Sequence, residues 1–330
     1  MLYIDLRTES GPKATTVSGV DAVTLLDVDG IPGQTIPPTG YGAPPLSPSR
    51  FADAVQGRNL VLVTHGFNVN FQNGLNCLAG LAEYLALDPS FLVVGVLWPG
   101  DYVTTTIPIN YIWDHHEAVR SGDVLAGYLE RYASGAAGFN FVSHSLGARV
   151  VLECLVSLKT IHFNQVCLLA AAVNADAFKQ PFLAARKKAD RFSILASKAD
   201  KVLMLAYPLG NGVGLIGDDI AEVASELGVD LGKWKPPVSA ADTAGPMFTA
   251  AMGRGGANPH PRNLVINGQI PQTFLWLDRG DGVNFKHGDY YPAGTAGNNP
   301  KMPRPLKAAT AYLRPALTGG NPAWPVARWP

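Results

Sequence analysis

The chain has 330 residues, with 26 basic and 26 acidic side chains, 47% hydrophobic and 16% charged residues. That length suits one large domain or two small ones, with ample core, and a balanced charge without like-charged blocks excludes the electrostatic footprint of a nucleic-acid or anionic-lipid binder. Glycine and proline are abundant, at 35 and 26, but follow no collagen-like period, which favours a compact, loop-rich globule over a disordered chain.

Residues 2–8 alternate like a strand and carry Asp5 and Arg7 where a signal peptide needs an unbroken apolar run. A cytoplasmic location is therefore expected. A second β-rich run covers 22–29, and the Pro/Gly/Ser-rich stretch 30–49 reads as a surface loop. The runs 60–64, 91–98, 139–143, 165–173, 191–197 and 273–278 are nearly continuous in Val, Leu, Ile and Phe, as strands covered on both faces must be. Between them, Leu75, Leu78, Ala82 and Leu85, then Val119, Leu125, Tyr128 and Tyr132, then Leu146, Val150, Cys154, Leu155 and Leu158 recur at helical spacing. This alternation predicts an α/β fold: a doubly wound, mostly parallel sheet with helices on both faces, one domain with its core at about 59–290.

From 201 to 272 the chain is far longer than one crossover helix requires, so an insertion precedes the last core strand and is a candidate lid. Its uncharged segment 202–217, broken by Pro208 and four glycines, is too short for a membrane-spanning helix, and no stable membrane insertion is expected. Residues 315–330 read as a Pro/Trp-rich tail. Cys77, Cys154 and Cys167 are odd in number and lack paired spacing, which argues for three buried thiols rather than a disulfide framework or a zinc site.

The most specific local signal is S-H-S-L-G at 143–147, where a predicted strand ends and a predicted helix begins. Such a turn holds a serine hydroxyl above the sheet in a strained backbone, and small residues two positions to either side permit it. Ser145 occupies that place, with Ser143 standing where a glycine is usual. A serine hydroxyl needs a base to take its proton and N–H donors for the oxyanion. Upstream, T-H-G-F-N at 64–68 follows a core strand, so the Phe67 and Leu146 N–H groups are the expected oxyanion donors. His65 suits holding this loop by hydrogen bonding. Downstream, Asp200 lies just past a parallel strand and faces the same edge; His287 lies on the loop after the last strand. The order Ser145, Asp200, His287 predicts nucleophile, acid and base, with Asp176 as the second candidate acid.

With T-H-G-F-N, L-W-P-G at 97–100, S-H-S-L-G and H-G-D-Y at 287–290, the chain resembles the α/β-hydrolase superfamily over about 59–290. The H-G-F-N loop, the W-P pair and H-S-x-G without a leading glycine are similar to a bacterial group of esterase- and lipase-like hydrolases long filed as a domain of unknown function. The resemblance implies the hydrolase fold and acyl-transfer chemistry. The long 201–272 insertion departs from the nearly bare core usual in that group.

His65, Trp98, Tyr102 and His144, with Phe67, Tyr111 and Trp113, are candidates to line a substrate pocket beside Ser145. G-V-G-L-I-G at 212–217 matches a dinucleotide fingerprint but lacks the strand before it, and adjacent His115 and His116 point in different directions on a helix. The expected function is a serine hydrolase of small or lipid-like carboxylic esters with no cofactor or metal. The same triad serves amides and thioesters, and a non-catalytic binding protein on the same frame is the alternative of another class.

Overall fold

The computed structural model describes residues 1–8, 16–28, 46–101, 107–197, 200–204, 251–257, 274–276, 285–291 and 304–320. Among them, eight strands form one sheet: β1 (Leu2–Asp5), β2 (Thr24–Asp27), β3 (Asn59–Thr64), β4 (Phe91–Leu97), β5 (Gly138–His144), β6 (Phe163–Leu169), β7 (Ala189–Ala196) and β8 (Phe274–Trp276). Their order is β2-β1-β4-β3-β5-β6-β7-β8. Only β1 and β2 pair antiparallel, with Tyr3 opposite Leu26; every other pairing is parallel. Connections between parallel neighbours must cross over a face. Three long helices do so: α2 (Phe71–Leu85), α3 (Ile107–Tyr132) and α4 (Gly147–Ser157), preceded by the shorter α1 (Pro48–Val55).

The chain adds β4 on one side of β3, then returns across to lay β5 on the other, so the direction of strand addition reverses at β3. The carboxyl ends of β3 and β5 therefore open onto the crevice where doubly wound sheets bind ligands. Leu60, Leu62, Phe141, Val142, Val166 and Leu168 on these central strands are fully buried, which their continuous apolar sequence requires.

Several expected boundaries shift. The loop predicted at 30–49 gives way to α1 at Pro48, because a proline in the first turn lacks only an N–H that has no intrahelical partner there. The predicted strand 165–173 leaves the ladder after Leu169: Ala170 takes a positive φ of 45°, and the Ala172 N–H turns to the Ser145 carbonyl. Buried apolar residues outside a ladder read the same as residues inside one. The tail predicted from 315 begins inside a helix, α6 (Arg304–Leu317), with Pro315 in its last turn. From α6, Arg314 donates to the Leu85 and Tyr84 carbonyls at the end of α2, at 2.7 and 3.1 Å. Of the 201–272 insertion, 205–250 and 258–272 lie outside the described residues, as does the 212–217 glycine motif. The described segment 251–257 contains the short α5 (Met252–Gly255) and crosses the ends of β6 and β7. There the Met252 and Gly253 N–H groups donate to Val173 and Ala171, and the Gly253 carbonyl accepts from Ser197. Among the described residues no helix is long and apolar enough to cross a membrane.

Near the end of α3, Glu130 accepts the backbone N–H groups of Lys159, Thr160 and Ile161 at 2.8, 2.8 and 3.1 Å, together with the Thr160 hydroxyl. Partial burial pushes this carboxyl up, but the Thr160 hydroxyl and the three N–H donors outweigh it and hold it at about 2. A carboxyl lowered in the folded state stabilises the fold above its ordinary value of 4.5, and that contribution is lost as pH falls towards 2. Glu130→Gln is expected to lower the melting temperature at pH 7. The gap to wild type should close as the pH is taken from 4.5 towards 3, which thermal melts across that series would measure.

Candidate active site

Ser145 sits between β5 and α4 with φ at 54°, a left-handed conformation that non-glycine residues rarely adopt. Its backbone is held on both sides: its N–H donates to the Leu169 carbonyl at 2.9 Å, and its own carbonyl accepts from Ala148 and Ala172 at 3.1 and 3.0 Å. Two glycines make the turn sterically feasible. A Cβ at Gly147 would lie 2.3 Å from the His65 carbonyl oxygen, and one at Gly66 would lie 2.7 Å from the Ser145 Cβ. Ser143, in the place where a glycine is usual, is fully buried and accommodated within β5.

His287 opens a short 3₁₀ turn, His287–Tyr290, after the sheet has ended. Its Nδ1 lies 2.8 Å from Asp200 Oδ2 and its Nε2 lies 2.9 Å from Ser145 Oγ. A carboxylate only accepts, so Nδ1 carries the proton and Nε2 accepts from the serine hydroxyl. The second Asp200 oxygen accepts from the Leu203 N–H at 2.8 Å, and the aspartate is fully buried. The structure thus brings Ser145, His287 and Asp200 into one hydrogen-bonded chain. Asp176 lies in the turn after β6, where its main-chain carbonyl accepts from Lys179.

The 65–68 loop folds over Ser145 from the end of β3. Phe67 is half-buried, and Asn68, with φ at 56°, donates from its backbone N–H to Gly100 at 2.6 Å. Leu146 is buried as the residue that caps α4, and its N–H has no acceptor among the described residues. His65 and Trp98 are not pocket walls. Both are fully buried behind the loop and stacked on each other with ring centroids 5.6 Å apart. The Trp98 indole donates to the His65 carbonyl at 2.9 Å, while His65 Nδ1 donates to the Gly66 carbonyl at 3.0 Å. The ring therefore braces the loop from beneath. His144, the other histidine expected in the pocket, is bonded to the His287 main chain instead, through Nε2 at 2.8 Å. Tyr102 lies outside the described residues, as do the side chains of Tyr111, Trp113 and His115; His116 is exposed.

The sequence reading missed a buried ion pair beneath the same loop. Arg7, fully buried, donates to the Trp98 carbonyl at 3.1 Å, pairs with Asp101 at 3.3 Å and lies over the Phe71 ring. Arg7 stands out in sequence only as a charge in an otherwise apolar alternating run. The contact of Tyr291, whose hydroxyl donates to the Thr64 carbonyl at 3.2 Å, has no local sequence signal. Among the described residues no group of His, Cys, Asp and Glu is clustered as metal ligands, and the three cysteines are buried and free.

A family model described as an alpha/beta hydrolase of unknown function (DUF900) matches residues 49–226, more than half of the chain. The chain belongs to this family. A search of the curated proteins finds no match. The matched span of the hydrolase contains the 65–68 loop, Ser145 and Asp200, whereas His287 and the β1–β2 hairpin with Arg7 lie beyond it.

Two expectations follow from this packing. Gly147→Ala should destabilise the hydrolase by about 1–3 kcal/mol, because the added methyl meets backbone that cannot rotate away; urea unfolding would measure it. Burial, reinforced by nearby Arg7, holds the His65 imidazole at about 3, against an ordinary 6.5. A folded-state value below the unfolded one means that stability is full above 6.5 and falls as the pH drops towards 3, by at most about 1.4 kcal/mol per pH unit for this one group. Urea midpoints at pH 7, 6 and 5 should show a steeper decline for wild type than for His65→Gln.

Proposed function

We propose that this hydrolase cleaves carboxylic esters through an acyl-enzyme formed on Ser145. The observation that carries the reading is the chain of short contacts Ser145 Oγ to His287 Nε2 at 2.9 Å and His287 Nδ1 to Asp200 Oδ2 at 2.8 Å, at a serine in a left-handed turn. A neutral imidazole with its Nδ1 proton directed at a carboxylate presents a basic Nε2 to the hydroxyl. In the first half-reaction, Ser145 Oγ bonds to the acyl carbon and its proton passes to His287 Nε2. The C–O bond to the alcohol then breaks, and His287 returns that proton to the leaving oxygen. In the second half, water takes the place of the alcohol: His287 accepts its proton, the new hydroxyl joins the acyl carbon, and Ser145 Oγ departs with the proton.

The Leu146 N–H at the start of α4 and the Phe67 N–H of the facing loop are the proposed oxyanion donors; the first gains from the positive end of the helix. Asp200 orients the imidazole and stabilises its charged form. Esters as the substrate class rest on the resemblance to esterase- and lipase-like hydrolases, and the same triad also serves amides and thioesters.

The test is to treat the purified protein and Ser145→Ala with a fluorophosphonate probe alongside p-nitrophenyl butyrate, p-nitrobutyranilide and butyryl-CoA. Stoichiometric labelling and ester turnover, both lost in the variant, are the expected result. Asp200→Asn should lower kcat/KM by roughly 10⁴-fold. A wild-type protein that neither labels nor turns over any of the three substrates would sink the reading.

A further inference from the structure

His144 precedes the nucleophile, and the proposed chemistry gives it no role. Its Nε2 lies 2.8 Å from the His287 carbonyl, and because a carbonyl only accepts, the ring is the donor. Neighbouring residues 144 and 145 thus both grip residue 287: Ser145 Oγ meets its imidazole and His144 meets its main chain. In a regular strand consecutive side chains point to opposite faces; the left-handed turn at Ser145 breaks that alternation.

The need for such a grip comes from the topology. His287 lies in a four-residue 3₁₀ turn, with no strand pairing to fix it. Its imidazole is bonded to Asp200 and Ser145, but these side-chain bonds do not by themselves fix the His287 main chain. The turn meets the sheet edge through the His287 bond to Ser145, the His144 bond to its main chain, the His144 ring against Tyr290 and Tyr291, and the Tyr291 hydroxyl bond to Thr64, and it also packs on α6. The Asp289 carboxylate, accepting from the Lys286 N–H at 2.7 Å, closes the turn on itself without tying it to the sheet.

We infer that His144 is a positioning residue that clamps the main chain of the proposed general base, setting the distance between His287 Nε2 and Ser145 Oγ. The inference rests on the triad reading above. Its chemistry is consistent with a neutral ring: burial, with the neighbouring His287, holds the His144 imidazole at about 3. A neutral donor secures the turn without placing a second cation 4.9 Å from the ring that becomes charged in the reaction. Displacements near 1 Å at reacting groups cost up to about 100-fold in rate.

Three variants test it in the full-length protein. His144→Phe keeps a ring against Tyr291 and removes the donor; His144→Gln keeps a donor of similar reach. In the phenylalanine variant, the rate of Ser145 labelling by the fluorophosphonate and kcat are expected to fall together by about 10- to 100-fold with KM little changed. Hydrogen exchange should quicken at 286–291 and nowhere else. The glutamine variant should recover most of both readouts. If the phenylalanine variant does not fold, His144→Asn, whose shorter amide cannot reach the carbonyl, takes its place in the same comparison. Wild-type labelling with an unslowed donor-free variant overturns the clamp alone, as does a loss of rate with unchanged exchange at 286–291. A wild-type protein that takes no label overturns the triad reading, and with it any role for His144 in catalysis.

Discussion

A left-handed backbone at Ser145 costs roughly 1–3 kcal/mol relative to an ordinary conformation, and it persists only where the surroundings over-determine it. Here the over-determination is specific. The N–H and carbonyl of Ser145 are both bonded, to Leu169 on one side and to Ala148 and Ala172 on the other, so relaxing φ would break three backbone bonds at once. The turn also draws α4 against the loop after β3 until Gly147 touches the His65 carbonyl, a distance at which no side chain fits. The position of the serine hydroxyl, the direction of the Leu146 N–H and the path of the 65–68 loop are consequences of that one turn.

A second layer of constraints keeps the loop from relaxing away from the serine. His65 and Trp98 stack beneath it and bond to its main chain, and Arg7 reaches from β1's end to the Trp98 carbonyl and Asp101. A guanidinium withdrawn from water is costly unless it is paired. Asp101 and the Trp98 carbonyl are therefore as much requirements of Arg7 as supports for the loop. This arrangement links the β1–β2 hairpin, at the edge of the sheet, to the centre of the site. The His65 ring, fully buried and held at about 3 by that burial, is bonded through Nδ1 to the Gly66 carbonyl and supports the loop from within.

The remaining part of the site is held across long stretches of chain. His287 meets Ser145 over 142 residues and Asp200 over 87, and Tyr291 meets Thr64 over 227. Contacts at such separations form only when the sheet has placed the ends of β3, β5 and β7 side by side. Within the insertion, 251–257 is bonded across the ends of β6 and β7, so a segment that looked like an addition to the fold is stitched to the same edge.

The succession of strands and helices along the chain, the mostly parallel sheet and the Ser145 turn were legible in the sequence, because continuous apolar runs, helical spacing and a small-residue turn are local consequences of covalent geometry and burial; the spatial order of the strands, with its reversal at β3, was not. Asp200 and His287 were legible too, since the ends of successive parallel strands must share one edge. Boundaries were less so: Ala170 to Val173 are as apolar as a strand yet leave the ladder, and burial alone does not distinguish the two. What a side chain does once it reaches the edge was not local. Only the tertiary structure decided that His144 turns to the His287 carbonyl, that His65 and Trp98 lie behind the loop and that Arg7 lies under it. Each of those roles depends on a partner at least 33 residues away in sequence, whose distance is set by packing rather than by spacing along the chain.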